Sequence, residues 1–315
     1  MSDARLQNAY AVCRNIARRE ARNFYYSFLA LPLPKRNALS AVYAFMRHAD
    51  DLSDNQSLSS VERKRQLDAW LRDWRDAQSG SPTDNPVFIA VLDTQQRFQI
   101  PAELLEQLVA GTSMDLEHPL EEMSSPSREA GGTALASVVR VHRTFNDLYC
   151  YCYLVASVVG LVCIRIYGYK DPRAELLAER CGIAFQLTNI IRDIKEDAAM
   201  GRVYLPEEDL SRFGLTASDF LEDEGRRLEP ARLQKLLEFE SQRARQYYDS
   251  AAELIPMIDR DSRPALWVIV TIYRRLLEKI AARNYDVLHG RVKLSSGEKL
   301  GILARGIMKS VFKTI

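Results

Sequence analysis

Several features are scarce in this 315-residue chain, and each scarcity narrows what it can be. Its five cysteines (Cys13, Cys150, Cys152, Cys163 and Cys181) are odd in number and contain no CxxC pair. They read as reduced, mostly core thiols of a cytosolic protein, not as a zinc site or a disulfide framework. Neither sign of charge dominates: 43 basic and 42 acidic residues leave no global field to favour nucleic acid. No clean apolar run reaches the ~20 residues that a spanning helix needs. Leu148 to Ile164 comes nearest, but it carries Tyr149, Tyr151, Tyr153 and Ser157, and reads as a buried helix. A GxGxxG fingerprint is missing, and so is an internal repeat. The start, Met1-Ser-Asp-Ala-Arg5, runs into charged amphipathic sequence, so no signal peptide is expected.

What is present is helical periodicity. With 47% hydrophobic and 27% charged residues, a large core is expected. Nearly every long segment repeats its apolar residues at helical spacing, and almost none alternates. Helical regions are expected over 4–30, from Pro34 through Asp54, and over 60–77, 87–98 and 101–116. Further helices are expected over 134–168, 172–199, 229–256, 261–287 and 295–313. Ser79 to Pro86 and Glu121 to Gly132 are rich in breakers and read as loops. The expectation is one all-α domain over residues 1–315.

Two acidic stripes stand out. At about 100° per residue, Gln186, Asn189, Asp193 and Asp197 share one narrow stripe of a helix, with Leu187, Ile190, Ile191 and Ile194 beside it. Carboxylates bordering an apolar wall suit a cavity better than a solvated face. Asp50, Asp51 and Asp54 fall within about 100° of arc, with Arg47 close by. Mg²⁺ takes one or two carboxylates and fills its other positions with water and phosphate oxygens. Two such acid sets therefore suit a diphosphate bridged to protein through Mg²⁺. Arg47 and Arg192 add forks that match phosphate. An isolated DxxxD can equally be a solvated helix face.

Three ordered motifs carry a resemblance from about Asn23 to Arg291. They are Tyr43-Ala-Phe-Met-Arg-His-Ala-Asp50-Asp-Leu-Ser-Asp54, Leu148-Tyr-Cys-Tyr151-Cys-Tyr-Leu-Val-Ala-Ser157-Val-Val-Gly160, and Gln186 to Asp197 followed by Gly201-Arg202-Val-Tyr204-Leu-Pro206. Together they resemble the squalene/phytoene synthases, which join two prenyl diphosphates head to head. The resemblance implies an isoprenoid-synthase helical bundle around a central active-site cavity. It implies Mg²⁺ on Asp50, Asp51, Asp54, Asp193 and Asp197, with Asn189 assisting. By the same analogy Arg47, Gln186, Arg192, Arg202, Tyr204, Tyr273 and Arg291 hold or steer diphosphate. Tyr151 falls on the catalytic tyrosine, as proton relay or cation stabiliser, although a buried tyrosine is more often core.

Three departures from the family pattern are visible. Ala21-Arg22-Asn23 replaces a serine pair, Ser157 stands where a glycine is common and would narrow or polarise the pocket, and residues 119–138 read as an inserted loop or flap. Ile166-Tyr-Gly-Tyr169 and Asn284-Tyr-Asp-Val-Leu288 resemble presqualene-forming members, which favours two farnesyl diphosphates over the longer substrates of phytoene formation. Dehydrosqualene is a further alternative product. NADPH enters only if the reaction proceeds to squalene, and a separate reductase is the other route. Intact acidic motifs argue against a non-catalytic assembly protein. The tyrosine motif argues against a terpene cyclase or chain elongase. Arg305, Lys309 and Lys313, with Ile302, Met308, Val311 and Phe312, form a basic amphipathic pattern suited to an anionic membrane or to ordinary packing. The expected location is the cytoplasm, with peripheral contact at the inner membrane face as an option.

Overall fold

Local signals explain where the helices begin. The computed structural model describes residues 3–55, 57–117, 140–220 and 228–312. α1 (Asp3–Glu20) and α2 (Arg22–Phe28) replace the single region expected over 4–30. Arg22 turns the chain between them at φ 40°, a left-handed conformation costing ~1–2 kcal/mol outside glycine. α3 (Leu33–Ser53) takes Pro34 into its first turn, where a missing N–H costs nothing. α4 (Ser60–Gln78) is capped by Ser59, which accepts the Glu62 N–H at 3.2 Å. α5 (Pro86–Phe98) is capped by Asn85 accepting the Val87 N–H at 2.9 Å. α6 (Ala102–Glu117) follows. The expected 119–138 insert lies outside the described residues.

The chain then pairs two short extended segments, and a separate antiparallel bridge links Tyr169 and Ile258. Arg140–Val141 (β1) runs parallel to Arg202–Val203 (β2) in a two-residue ladder. α7 (Phe145–Cys152) opens with a reciprocal capping box between Thr144 and Asp147. A π turn, Tyr153–Ser157, leads into α8 (Val158–Tyr167). α9 (Arg173–Ala199), α10 (Glu207–Arg212), α11 (Pro230–Met257), α12 (Arg263–Ala281) and α13 (Ser296–Val311) complete the all-α fold. α12 stops short of the expected 287 because Asn284 and Tyr285 adopt φ of 52° and 60°.

α9 is the central element, packed against α7, the π turn, α8, α11 and α12. Its approach to the π turn is so close that a Cβ on Gly182 would lie 2.6 Å from the Ser157 Cα. Gly111 on α6 meets the Leu154 carbonyl the same way, at 2.8 Å. Buried side chains from α1 through α13 form a continuous apolar cluster. Ser157 belongs to it: the hydroxyl is buried and donates to the Glu179 carbonyl at 2.7 Å. It therefore does not narrow or polarise a pocket, because helix packing claims it. Phe145–Tyr167 is long and apolar enough to cross a membrane, but it contributes residues to both internal cavities described next.

Candidate active site

Two cavities meet at the middle of the molecule. The polar one is about 1410 Å³ including its open mouth, and the apolar one about 1050 Å³ on the same count. Met46, Val155, Gln186 and Asn189 line both, so one chamber opens beside the other. The apolar chamber is walled by α2, α3, α8, α9 and α12, with Phe24, Phe28, Tyr43, Tyr167, Phe185 and Tyr273 as its aromatic surface.

The end of α3 and the last turns of α9 supply the polar chamber with its acids. Asp50, Asp54, Asp193 and Asp197 all line it, with Asn189 one turn further back on α9. The i, i+4 spacing puts each pair on one helix face. Arg47, Gln186 and Arg192 line the chamber beside them, and Tyr151, Arg202 and Tyr204 close another side. Asp51 is placed elsewhere. One residue of helix turns it away from Asp50, its side chain is 55% exposed, and Arg47 holds it at 2.5 Å. Tyr273 lines the apolar chamber instead, with Phe185 stacked on it at 4.5 Å. Arg291 reaches the site through Asp193, donating Nε at 2.7 Å and Nη2 at 2.9 Å.

Electrostatics separates the four acids. Burial, then the nearby Asp54 carboxylate, pushes Asp50 up to about 7 against the pull of Arg47. Burial and Asp193 push Asp197 up to about 7. Asp193 moves the other way. Burial raises it, but forks from Arg192 and Arg291 outweigh that and hold it below the usual carboxylate range. Among the described residues no three Asp, Glu, His or Cys side chains close on a single point. The observation that fits a divalent cation is on α9: Asn189 Oδ1, on the same stripe as Asp193 and Asp197, is buried without a hydrogen-bond partner.

Several site residues were not singled out from sequence. His142 packs on Tyr151 with ring centroids 5.3 Å apart, and Tyr151 stacks on Tyr204 at 4.9 Å. The His142 carbonyl accepts the Glu207 N–H at 2.8 Å, which ties this segment to α10. Burial pushes the Tyr273 hydroxyl up, and nearby Arg192, Asn189 and Asn23, the last in place of the serine pair, temper that rise. Lys299 on α13 is lowered by burial and by the nearby cations Arg22 and Arg192. Short-range spacing gave no signal for any of these, since each arrives from a distant segment. His48, by contrast, packs on Trp70 at 5.2 Å and burial lowers it, as expected of a packing residue.

Comparison with known proteins agrees with this architecture. The sequence model of the squalene/phytoene synthases matches residues 17–298. A phytoene synthase of Mycobacterium bovis is 34% identical over 307 residues, covering 97% of this chain and 93% of the relative. A crystal structure of a dehydrosqualene synthase with a ligand superposes with a TM-score of 0.79 at 30% identity, covering 98% of each chain. Squalene synthase HpnC from Alicyclobacillus acidocaldarius gives 0.75 at 26% identity, over 90% of this chain and 97% of that one. The chain belongs to the squalene/phytoene synthase family, divalent-metal-dependent transferases that condense prenyl diphosphates head to head.

Proposed function

We propose that this enzyme condenses two farnesyl diphosphates into presqualene diphosphate. The observation that carries the reading is the junction of the two chambers at Met46, Val155, Gln186 and Asn189. A prenyl diphosphate is polar at one end and apolar for the rest of its length, and it fits across that junction. The diphosphate lies among Arg47, Arg192, Arg202, Tyr204 and Gln186, with Arg291 and Lys299 reaching it from the C-terminal segment. Asp50, Asp54, Asp193 and Asp197 with Asn189 would hold Mg²⁺, which would supply positive charge for the departing diphosphate. The aromatic and aliphatic wall of the apolar chamber keeps water from the allylic cation. Tyr273, stacked on Phe185, holds the diphosphate end of the chain at the mouth of that chamber. Tyr151 stands where the reacting carbons meet, its ring facing the cation and its hydroxyl able to carry the proton lost on cyclopropane closure. Tyr204 and His142 fix its orientation.

Formation of phytoene from two geranylgeranyl diphosphates is the second reading, favoured by the name of the mycobacterial relative. Incubation with Mg²⁺ and each prenyl diphosphate, with and without NADPH, followed by extraction and mass analysis, separates them. Presqualene diphosphate from the farnesyl substrate is expected, and squalene with NADPH would place the reduction on this chain. Phytoene alone would overturn the chain-length assignment. No turnover of either substrate would falsify the reaction.

A further inference from the structure

Large apolar side chains that face solvent are concentrated on one helix. Among the described residues, Leu300, Ile307, Met308, Val311 and Phe312 of the α13 segment are 45–75% exposed. At about 100° per residue, Leu300, Ile307 and Val311 fall within about 40° of one another, and Met308 and Phe312 widen the stripe on one side. The opposite face is already used. Ile302 and Leu303 are buried, and a Cβ on Gly306 would come 2.6 Å from Val268. α13 is thus apolar on two faces, and only one of them packs against the protein. Ile302, read from sequence as part of the outward pattern, points inward.

The border of the exposed stripe is basic. Arg305 is exposed, and Lys309 lies 5.4 Å from the ring of half-buried Trp267. The inner neighbours of α13 are α12 and α2, and both of these wall the apolar chamber. Its first turns also lend Lys299 to the cationic cluster beside Arg22 and Arg192.

We propose that α13 seats the protein on an anionic lipid bilayer, with Leu300, Ile307, Met308, Val311 and Phe312 in the acyl boundary and Arg305 and Lys309 at the headgroups. This goes beyond the condensation reaction and stands without it. A second copy of the chain would cover the stripe equally well in area, but a basic border facing the same basic border repels. An anionic surface attracts it. The seat brings the apolar chamber's own wall helices next to the lipid phase, into which long prenyl chains partition.

The test is flotation of the full chain with phosphatidylcholine vesicles, with and without phosphatidylglycerol. Binding to the anionic vesicles is expected. Ile307→Ser with Val311→Ser should weaken it by roughly tenfold or more. Arg305→Glu should cost about tenfold on anionic vesicles and little on neutral ones. Leu176→Ser, at an exposed leucine on α9, should leave binding unchanged. Matched thermal melts confirm that each variant folds. Absence of binding by the parent chain overturns the proposal, as does equal binding by the α13 variants. A stable dimer that only those variants dissolve would assign the stripe to a second copy and also overturn it. No readout here requires turnover, so failure of the assigned reaction is seen separately.

Discussion

Replacing Arg291 with glutamine should tighten divalent-cation binding in the substrate-free protein while weakening its hold on diphosphate. Asp193 is gripped by two guanidinium forks, from Arg192 and from Arg291. A cation that reaches this carboxylate must displace at least one of them. A charge-assisted fork contributes ~1.5–3 kcal/mol when shielded from water. The Arg291 side chain is 31% exposed, so screening leaves about 1.5 kcal/mol, or roughly tenfold in Kd. The variant should therefore bind Mn²⁺, read by electron paramagnetic resonance without substrate, about tenfold more tightly. Steady-state kinetics at saturating Mg²⁺ should show KM for farnesyl diphosphate rising by a similar factor. The fall in kcat should be smaller, because Arg192 and Lys299 remain. Mn²⁺ binding no tighter than in the parent would refute the competition for Asp193. An unchanged KM would refute the transfer of Arg291 from carboxylate to diphosphate.

Three further outcomes follow from buried charge. Without metal, Asp50 and Asp197 keep their protons up to about 7, whereas the unfolded chain releases them near 3.8, so the folded state binds more protons between those values. Stability should fall as pH rises from about 4 to about 7 and then level off. Since Mg²⁺ needs ionised carboxylates, it should raise Tm several degrees more at about pH 8 than at about pH 5.5; equal shifts by calorimetry would contradict this. Arg243→Ala should cost ~3–5 kcal/mol at about pH 8, because it strands Asp209 and Glu240, whose side chains are 6% and 1% exposed. The loss should shrink as pH falls towards about 6, because burial raises Glu240 and a proton there replaces the missing guanidinium at less cost; denaturant melts giving the same loss at both pH values would sink the argument.

The parts of this molecule that could be read in advance are those set by spacing along one helix. The stripe Gln186, Asn189, Asp193 and Asp197 needs only α9, and the all-α fold needs only periodicity. Asp51 shows the limit of arc arguments: three acids fit within about 100°, yet Arg47 and solvent claim the middle one. Breaks set by backbone strain, at Arg22 and at Asn284 with Tyr285, leave the apolar pattern intact and so passed unseen. His142, Asn23 and Lys299 reach the site from segments far apart in sequence, and each is chosen by a tertiary contact. Ser157 invited a guess about the pocket because its neighbours line it, but the close approach of α9 turns its hydroxyl away.

The π turn at Tyr153–Ser157 acts as a phase corrector between two tasks of one helix. Val155, Val159, Cys163 and Tyr167 recur every fourth residue along the apolar chamber, and Tyr151, one step earlier, lines the polar one. In an unbroken α-helix each step of four drifts by about 40°, so Tyr151 would end roughly 160° from Tyr167. The wide turn takes back part of that drift and lets a single stretch of chain serve both chambers. Alignment of the tyrosine with the hydrocarbon wall thus depends on how many residues lie between them as much as on which residues they are. Losing one residue there would swing Tyr151 by about 100° while leaving the composition of the helix almost unchanged.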